Sequence, residues 1–331
     1  MVCQQDPLIR TVCELYYKIS ALETLSPCRD VNALLTHLVR LCIPPHPVDV
    51  SALCSAVQGV RSNLIRLCGE AEGLLEAHFS DLLASFDRPL DHLSLFPYYN
   101  NYIKLAQLEY SLLSHHLPGG GTPETVAFIG SGPLPLTSLV LAANHLPAAA
   151  FHNYDIDSTA NSRARRLVLP DPDLSQRVHF HTDDIMNVTA ELGNYDVVFL
   201  AALVGMAEEE KARVIVHLAK HMVPGAILMV RSAHGARAFL YPVVDPSDLR
   251  GFEFLSVYHP TDEVINSVIV ARRTSASIED PAISGQAMIK KQLHPPPLAG
   301  KKCCEIKQFF VDPLNPYGDI AEDLAIEQRS S

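Results

Sequence analysis

The chain has 331 residues, 48% of them hydrophobic, and a formal net charge of −11 at pH 7. That length supplies enough apolar material for two domains with real cores. Binding to phosphates needs a basic face, so the negative charge argues against nucleic acid as the main partner. No segment approaches the roughly 20 apolar residues that cross a bilayer, and the N-terminus lacks the basic start and apolar stretch of a secretory signal.

The eight cysteines and 15 histidines show none of the spacings typical of a metal site. No pair of cysteines has CxxC spacing, only Cys303 and Cys304 are adjacent, and no HExxH run occurs. We therefore expect a cytoplasmic protein with free thiols. We expect neither structural zinc nor a catalytic metal.

The first part of the chain has the spacing of helices. Its apolar residues recur at steps of three and four, first at Leu8, Val12, Leu15, Ile19 and Leu22. A second long helix, capped by Asp49 or Ser51, carries an apolar stripe from Leu53 to Leu82. A third helix follows and carries on one face Leu105, Leu108 and Leu112. Since nothing here alternates like a strand, we predict an all-helical N-terminal domain over residues 1–118.

After the linker LPGGGTP at residues 117–123, strand-like and helix-like segments alternate. The strand-like runs are TVAFIG, FHNYDID, VHFHTDD, YDVVFLAAL, AILMVRSA, FEFLSVYHP and VINSVIVARR. Strands joined by helical crossovers predict a doubly wound, Rossmann-like α/β domain with a seven-stranded, mostly parallel sheet over residues 119–273. The Ser-, Pro- and Lys-rich residues 274–331 are typical of a flexible polar tail.

The clearest candidate site is the run AFIGSGPLPLTS, in which the turn Gly130-Ser131-Gly132 joins a buried strand to a helix. Glycines at such a turn let a ligand approach the backbone and the amide groups of the helix. The run departs from the dinucleotide fingerprint because Pro135 stands at the third glycine position. The alternative interpretation is a tight turn with no ligand.

Two acidic residues strengthen the interpretation of a ligand site. Asp155 follows the second strand, about 25 residues after Gly130, where a carboxylate can accept both ribose hydroxyls. Asp184 follows the third strand and can accept from an adenine amino group, with Asp183 as the alternative. A glycine turn, a ribose acid and an adenine acid in this order fit S-adenosylmethionine better than NAD.

Several longer runs are distinctive: RSNLIRLCGEAEG, FPYYNNY, FIGSGPLPLTS, FHNYDID, VVFLAALVGM, VRSAHGARAFLYPVVDP and HPTDEVINSVIVAR. With these runs the chain resembles plant nicotianamine synthases over residues 1 to about 273. The resemblance implies an enzyme that joins aminocarboxypropyl groups from three S-adenosylmethionine molecules, closes one azetidine ring and releases three methylthioadenosine molecules. It implies S-adenosylmethionine as a substrate, no permanently bound cofactor, and a product that chelates iron and other metals for transport.

Such a reaction needs a base, because the attacking α-amine is largely protonated at neutral pH. The run LCGEAEGLLEAHF offers Glu70, Glu72 and Glu76. On a helical wheel Glu72 lies at the margin of the buried face, whereas Glu76 lies on a more exposed line and Glu70 farther round. By pattern alone, all three glutamates also fit a solvated helix face. The resemblance favours Glu72 as the catalytic base.

Other candidates come from two further segments. In FPYYNNY the resemblance points to Tyr98 as the active-site phenol, with Tyr99 and Tyr102 as neighbours; packing between domains is the alternative. After the fifth strand, Arg231, His234 and Arg237 lie at the carboxyl edge of the sheet, where an arginine can hold a substrate carboxylate; fixing the linker between the domains is the alternative. Two other functions use the same glycine turn and acids: a small-molecule S-adenosylmethionine-dependent methyltransferase, and a non-catalytic S-adenosylmethionine-binding protein.

Overall fold

The computed structural model describes residues 6–117 and 121–275. Its first region contains the helices α1 (Pro7–Ser20), α2 (Arg29–Cys42), α3 (Ser55–Leu83) and α4 (Tyr99–His116), with short 3-10 helices at Val50–Ala52 and Pro89–Leu95. No strand occurs among residues 6–117, as the sequence predicts. Along those residues and 121–275, no helix is both long and apolar enough to cross a membrane.

Capping side chains explain where two of these elements begin. The Asp6 carboxylate accepts a hydrogen bond from the Leu8 amide, and Pro7 occupies the first turn of α1. Asp49 accepts from the Ser51 amide, but it caps the 3-10 turn Val50–Ala52 and not the long helix. The sequence therefore places the start of α3 a few residues too early.

The remaining residues form one seven-stranded sheet. Its strands are β1 (Thr125–Ile129), β2 (Ala150–Asp155), β3 (Val178–Thr182), β4 (Val197–Leu200), β5 (Ile227–Ser232), β6 (Phe252–Tyr258) and β7 (Ser267–Arg273). Their order is β3-β2-β1-β4-β5-β7-β6. The first five strands are parallel, and β7 pairs antiparallel with both β5 and β6. This confirms the predicted mostly parallel, Rossmann-like sheet.

Helices cover both faces of the sheet. The connecting helices are α5 (Leu136–Asn144), α6 (Ser158–Val168), α7 (Leu174–Arg177) and α8 (Glu208–His221). One face packs its buried side chains against α4, α5 and α6. The other face packs against α8, with Ile215 and Leu218 fully buried. Because β4 is covered on both faces, all of its residues are buried, and its sequence is a continuous apolar run.

The helical region is attached at the carboxyl ends of the strands. Buried residues of α1, α2 and α3 share a core with Ala236, Phe239 and Leu240, which follow β5, and with Ile265, which precedes β7. Consequently α3 passes over the turn that follows β1. The predicted division at residue 118 stays a prediction, and nearly all of the predicted tail, residues 274–331, lies outside the described residues.

Candidate functional site

The turn after β1 lets neighbouring atoms come close to its backbone. Gly130 and Gly132 both have positive φ values, 79° and 67°, in the left-handed region that favours glycine. A Cβ atom on Gly130 would lie 2.3 Å from Cγ2 of Val204. The Gly130 amide donates to the Tyr154 carbonyl at 2.8 Å, which fixes the turn against β2. Ser131 between them is buried, and its hydroxyl has no hydrogen-bond partner among the described residues.

Asp155, at the end of β2, is held beside this turn. Its Oδ2 atom accepts from the Gly132 amide at 2.9 Å, and its Oδ1 atom accepts from the Asp157 amide at 2.9 Å. Asp157 in turn caps α6 by accepting from the Thr159 amide at 2.8 Å. The structure thus brings together the predicted glycine turn and the predicted ribose acid.

The two aspartates after β3 both line the same cavity. Asp184 accepts from the Met186 amide at 2.9 Å, and Asp183 accepts from the Asn187 side chain at 3.2 Å. The choice of Asp184 over Asp183 stays a prediction. Two apolar side chains near them are exposed, Ile156 by 75% and Met186 by 41%, and both line the cavity. They offer flat apolar surface for an aromatic base.

The cavity has a volume of about 1090 Å³ and lies between α3 and the carboxyl edge of the sheet. A volume of this size is at the upper end of the range for small-molecule sites. Its walls come from the glycine turn, from the acidic residues after β2 and β3, from the turn after β4, and from α3. The helical region therefore encloses a sheet edge that would otherwise be open.

Two glutamates of α3 and two tyrosines form a cluster in the wall of this cavity. The Tyr102 hydroxyl donates to Oε1 of Glu76 at 3.1 Å and is 3.4 Å from Oε1 of Glu72. The Tyr241 hydroxyl donates to Oε2 of Glu72 at 2.8 Å. Tyr102 comes from α4 and Tyr241 from the segment after β5, so the cluster joins three separate parts of the chain.

Burial dominates the electrostatics of this cluster. Desolvation raises the pKa of Glu72, while hydrogen bonds from Tyr241 and Tyr102 and the charge of Arg231 oppose the rise. Desolvation and the charge of Glu72 raise the pKa of Glu76 well above its ordinary value. Burial and the neighbouring carboxylates also raise the pKa of both tyrosines, so both stay protonated as donors.

The prediction that Glu76 lies on an exposed line is wrong. Its exposed fraction is only 8%, and it is more buried than Glu72. The reason is that α3 is covered on two sides, by the helical core along Leu64 and Ala71 and by the sheet edge beyond it. A helical wheel with one buried face cannot represent such a helix. Only Glu70 is exposed, and it pairs with Arg66 at 3.4 Å.

Arg231, at the end of β5, also faces the cavity. Its guanidinium donates from Nε and Nη2 to the two carboxylate oxygens of the fully buried Glu109, at 2.8 and 3.0 Å, and from Nη2 to the Thr137 hydroxyl at 2.6 Å. Burial by itself lowers the pKa of Arg231. The charge of Glu109 and its hydrogen bonds together raise the pKa by more, so the net shift of the Arg231 pKa is upward. A bidentate pair of this kind fixes the guanidinium in the wall.

Lys211 fixes the turn between β4 and α8. Its ammonium is buried and donates to the carbonyls of Ala201 and Ala202 at 3.0 and 2.9 Å. Burial lowers the pKa of Lys211 to about 7. This turn supplies Val204, the residue that meets Gly130, so Lys211 holds one wall of the cavity in place.

The other predicted site residues lie outside the main cavity. Tyr98 lines a second, smaller cavity of about 100 Å³ together with Glu72, Tyr102 and Tyr241. Tyr99 packs against the apolar cores and lines neither of these cavities. His234 stacks on His259, with 4.0 Å between the ring centroids, and it too lines neither.

Three residues with prominent positions were not predicted from the sequence: Glu109, Tyr241 and Asn266. Tyr241 lies 169 residues from Glu72 along the chain, so no local spacing links them. Glu109 lies on α4 among residues that pack into the sheet core. A single acidic residue on that apolar helix face is the sequence feature that could have identified it.

Comparison with known proteins identifies the family of this chain. A family model described as nicotianamine synthase protein matches residues 2–278. The chain is 57% identical to nicotianamine synthase from Solanum lycopersicum, over 99% of this chain and 100% of that protein. It is 62% identical to nicotianamine synthase 3 from Arabidopsis thaliana, over 82% of this chain and 86% of that protein.

Among solved structures, the fold is similar to that of MtNAS in complex with MTA and tNA, with a TM-score of 0.67. Sequence identity is 20%, over 81% of this chain and 98% of that chain. This likeness concerns the architecture alone. The match of the family model over most of the chain and the high identities to plant relatives show that the chain belongs to the nicotianamine synthase family.

Proposed function

We propose that the cavity between α3 and the sheet edge is the chamber in which this enzyme makes nicotianamine. It transfers the aminocarboxypropyl groups of three S-adenosylmethionine molecules and releases three methylthioadenosine molecules. The observation that carries the proposal is the pair of glutamates on α3, Glu72 and Glu76, that line the same cavity as the glycine turn and Asp155. S-adenosylmethionine is consumed as a substrate.

The carboxyl edge of the sheet supplies the groups that bind the nucleoside. Asp155 accepts from the ribose hydroxyls, and Gly130 and Gly132 let the ligand approach the backbone. Asp184 accepts from the adenine amino group, while the exposed side chains of Ile156 and Met186 pack on the base.

The charges of the chamber match those of the substrate. S-adenosylmethionine carries a sulfonium and an α-ammonium, both positive, and the walls present the carboxyl groups of Glu72, Glu76 and Asp155. The substrate also has one carboxylate. Glu109 and Thr137 occupy Nε and Nη2 of Arg231, so the Nη1 group donates to that carboxylate.

Each transfer forms one carbon–nitrogen bond and breaks one carbon–sulfur bond. The amine nitrogen attacks the methylene carbon next to the sulfonium, and the sulfur keeps the bonding electrons and leaves as methylthioadenosine. The nitrogen loses a proton to a base. Holding the two reactants in line inside the chamber supplies much of the rate.

Geometry favours Glu76 over Glu72 as the group that accepts this proton. The Oε2 atom of Glu76 lies 2.7 Å from where a Cβ atom on Gly132 would stand, next to the glycine turn. Both oxygens of Glu72, by contrast, face phenol groups, Tyr102 on one side and Tyr241 on the other. Tyr98, the phenol indicated by the resemblance, is separated from the turn by this cluster, and Tyr102 takes its place beside the reacting atoms.

Two finer statements belong to the same proposal. We place the reaction in the cytoplasm, in keeping with the free thiols of Cys42 and Cys68, which form no disulfide. The product serves the chelation and transport of iron and other metals.

Incubation with S-adenosylmethionine alone, followed by mass spectrometry of all products, tests the function. We expect nicotianamine and methylthioadenosine in a ratio of one to three. Release of S-adenosylhomocysteine would show methyl transfer instead. Saturable binding with no product over hours would show a binding protein without activity.

A further inference from the structure

The two glutamates of α3 are joined through a single phenol group. The Tyr102 hydroxyl is 3.1 Å from Oε1 of Glu76 and 3.4 Å from Oε1 of Glu72. A phenol has one proton to donate and lone pairs to accept another. It can therefore receive a proton from one carboxyl group while it gives its own to the other.

The proposed function creates a need for such a link. Three transfers per product release three protons at one place, and the base there must return to its carboxylate form between transfers. Glu76 has an exposed fraction of only 8% and faces the chamber, so a bound substrate separates it from bulk solvent and prevents direct loss of its proton. A base that kept the first proton would not serve the second transfer.

We propose that Glu72 takes the reaction proton from Glu76 through the hydroxyl of Tyr102, which regenerates Glu76 as a carboxylate for the next transfer. The reaction proton arrives at Oε2 of Glu76, and a half-turn of the carboxyl group brings it to the phenol. Glu76 then gives this proton to Oη of Tyr102 while Tyr102 gives its own to Oε1 of Glu72. The step leaves Glu76 ionised, Tyr102 unchanged and Glu72 protonated, so charge and protons balance. The inference rests on the proposed function.

The substrate supplies the driving force. Desolvation raises the pKa of both glutamates, and the charge of Glu72 adds to the rise at Glu76, which favours one proton shared by the pair. A sulfonium bound beside the glycine turn is nearer to Glu76, whose oxygen meets Gly132, than to Glu72. The positive charge therefore stabilises the carboxylate of Glu76 more, and the proton moves to Glu72.

Other charged or titratable groups face this pair from every neighbouring element. They are Asp155 from β2, Arg231 from β5, Tyr241 from the segment after β5, Tyr98 at the start of α4, and Cys68 one turn earlier on α3. Asp155 raises the pKa of Glu76 and Arg231 lowers the pKa of both glutamates. None of these groups bridges the two carboxylates as Tyr102 does.

The second cavity gives Glu72 an outlet for the proton. Its volume of about 100 Å³ is large enough for several water molecules. It is lined by Glu72 and also by Asn101 and Asn266, whose Oδ1 and Nδ2 atoms are buried and have no hydrogen-bond partner among the described residues. Water in this cavity satisfies such groups and accepts the proton of Glu72.

The test is the release of methylthioadenosine by the full chain on the timescale of one turnover, measured by rapid quenching. In Glu72→Gln we expect a first transfer that is faster than the two that follow, because Glu76 can take one proton but has no partner to which it can pass it. Later transfers should slow by at least about tenfold, the lower scale of proton-transfer catalysis. Adding formate, a small proton acceptor, should restore part of the later rate, which a merely structural defect would not allow.

Three comparisons make the result decisive. Tyr102→Phe removes the bridge and should give the same pattern of one fast and two slow transfers. Glu14→Gln, on the exposed side of α1, is the matched control and should behave as wild type. Melting temperature and S-adenosylmethionine affinity identify any variant that fails to fold.

Equal rates for all three transfers in Glu72→Gln would overturn the relay. Loss of the first transfer together with the others, in a folded variant that binds substrate, would also overturn it and make Glu72 the primary base. A wild-type chain that makes no nicotianamine would overturn the proposed function instead, and it would be recognised before any variant is compared.

Discussion

The Oε2 atom of Glu76 and the backbone of Gly132 are in such close contact that no side chain fits between them. A Cβ atom on Gly132 would lie 2.7 Å from this oxygen. Gly132 also has a φ of 67°, which L-residues with a side chain rarely adopt. The nucleoside end of the chamber and its acidic wall are thus built against each other, although they belong to different regions of the chain.

Gly132→Ala should therefore weaken binding of S-adenosylmethionine by about tenfold or more, with a smaller loss of stability. The added methyl group forces the Glu76 carboxylate away from the turn and strains the backbone, at a cost of order 1–3 kcal/mol. Calorimetric titration measures the affinity. Gly59→Ala on the exposed face of α3, where a Cβ atom meets nothing within 4 Å, is the control. It should stabilise the protein by about 0.5–1 kcal/mol without changing affinity.

Asp155→Ala should weaken S-adenosylmethionine binding by about 1.5–3 kcal/mol, the usual scale for lost hydrogen bonds to a charged group. Part of the loss comes from the Gly132 amide, which loses its acceptor. Calorimetry on the folded variant gives the value. Asp173→Ala is the control. Asp173 is exposed, follows α6 along the chain and pairs with Arg177, so this variant should keep full affinity. Unchanged affinity in Asp155→Ala would remove it from the ribose site.

Glu76→Gln should abolish the first transfer while S-adenosylmethionine still binds. Gln is nearly isosteric but cannot take a proton, and a general base contributes about 10²–10⁴-fold to the rate. Methylthioadenosine release in a single turnover is the measurement. A variant that retains the first transfer would show that the proton goes elsewhere, with Glu72 as the next candidate.

The pH dependence of the first transfer should report on the pair of glutamates. The reaction needs the carboxylate of Glu76, so the rate falls as pH drops through its raised pKa. The negative charge of Glu72 is one cause of that rise. In Glu72→Gln this cause is absent, so the acidic limb of the profile should move to lower pH. An unshifted limb would mean that the two carboxyl groups do not interact.

Lys211 should make stability depend on pH in the alkaline range. Its pKa is about 7 in the folded chain and 10.5 in its ordinary state, so the unfolded chain binds more protons between these values. The contribution of Lys211 to stability is present above the unfolded pKa and is lost as pH falls through the folded pKa, with a slope of about 1.4 kcal/mol per pH unit at most. Urea denaturation between pH 7 and 10 should show this slope in wild type and not in Lys211→Met. Parallel curves for the two proteins would contradict it.

The sequence predicts the sheet better than it predicts the chemistry of the chamber. The strands are apolar runs ended by glycine, aspartate or proline, so their number and the positions of Gly130, Asp155 and Asp184 follow from local pattern. By contrast, α2 is not predicted, although its buried residues Val31, Leu38 and Cys42 recur at helical spacing. The environment of Glu76 depends on α4 and on the segment after β5. Tyr102 and Tyr241 reach the glutamates only through tertiary packing, which local spacing does not encode.

The pairing of Arg231 with Glu109 affects how strongly the chamber holds its substrate and its product. Because the charge of Glu109 neutralises the charge of Arg231, the other carboxyl groups in the wall give the chamber a negative potential. The incoming substrate is held there partly by its sulfonium. Carbon–sulfur cleavage turns that sulfonium into a neutral thioether, so methylthioadenosine loses the attraction that retained its precursor. The chemical step thus weakens the binding of its own product, which favours its exchange for a new cationic substrate.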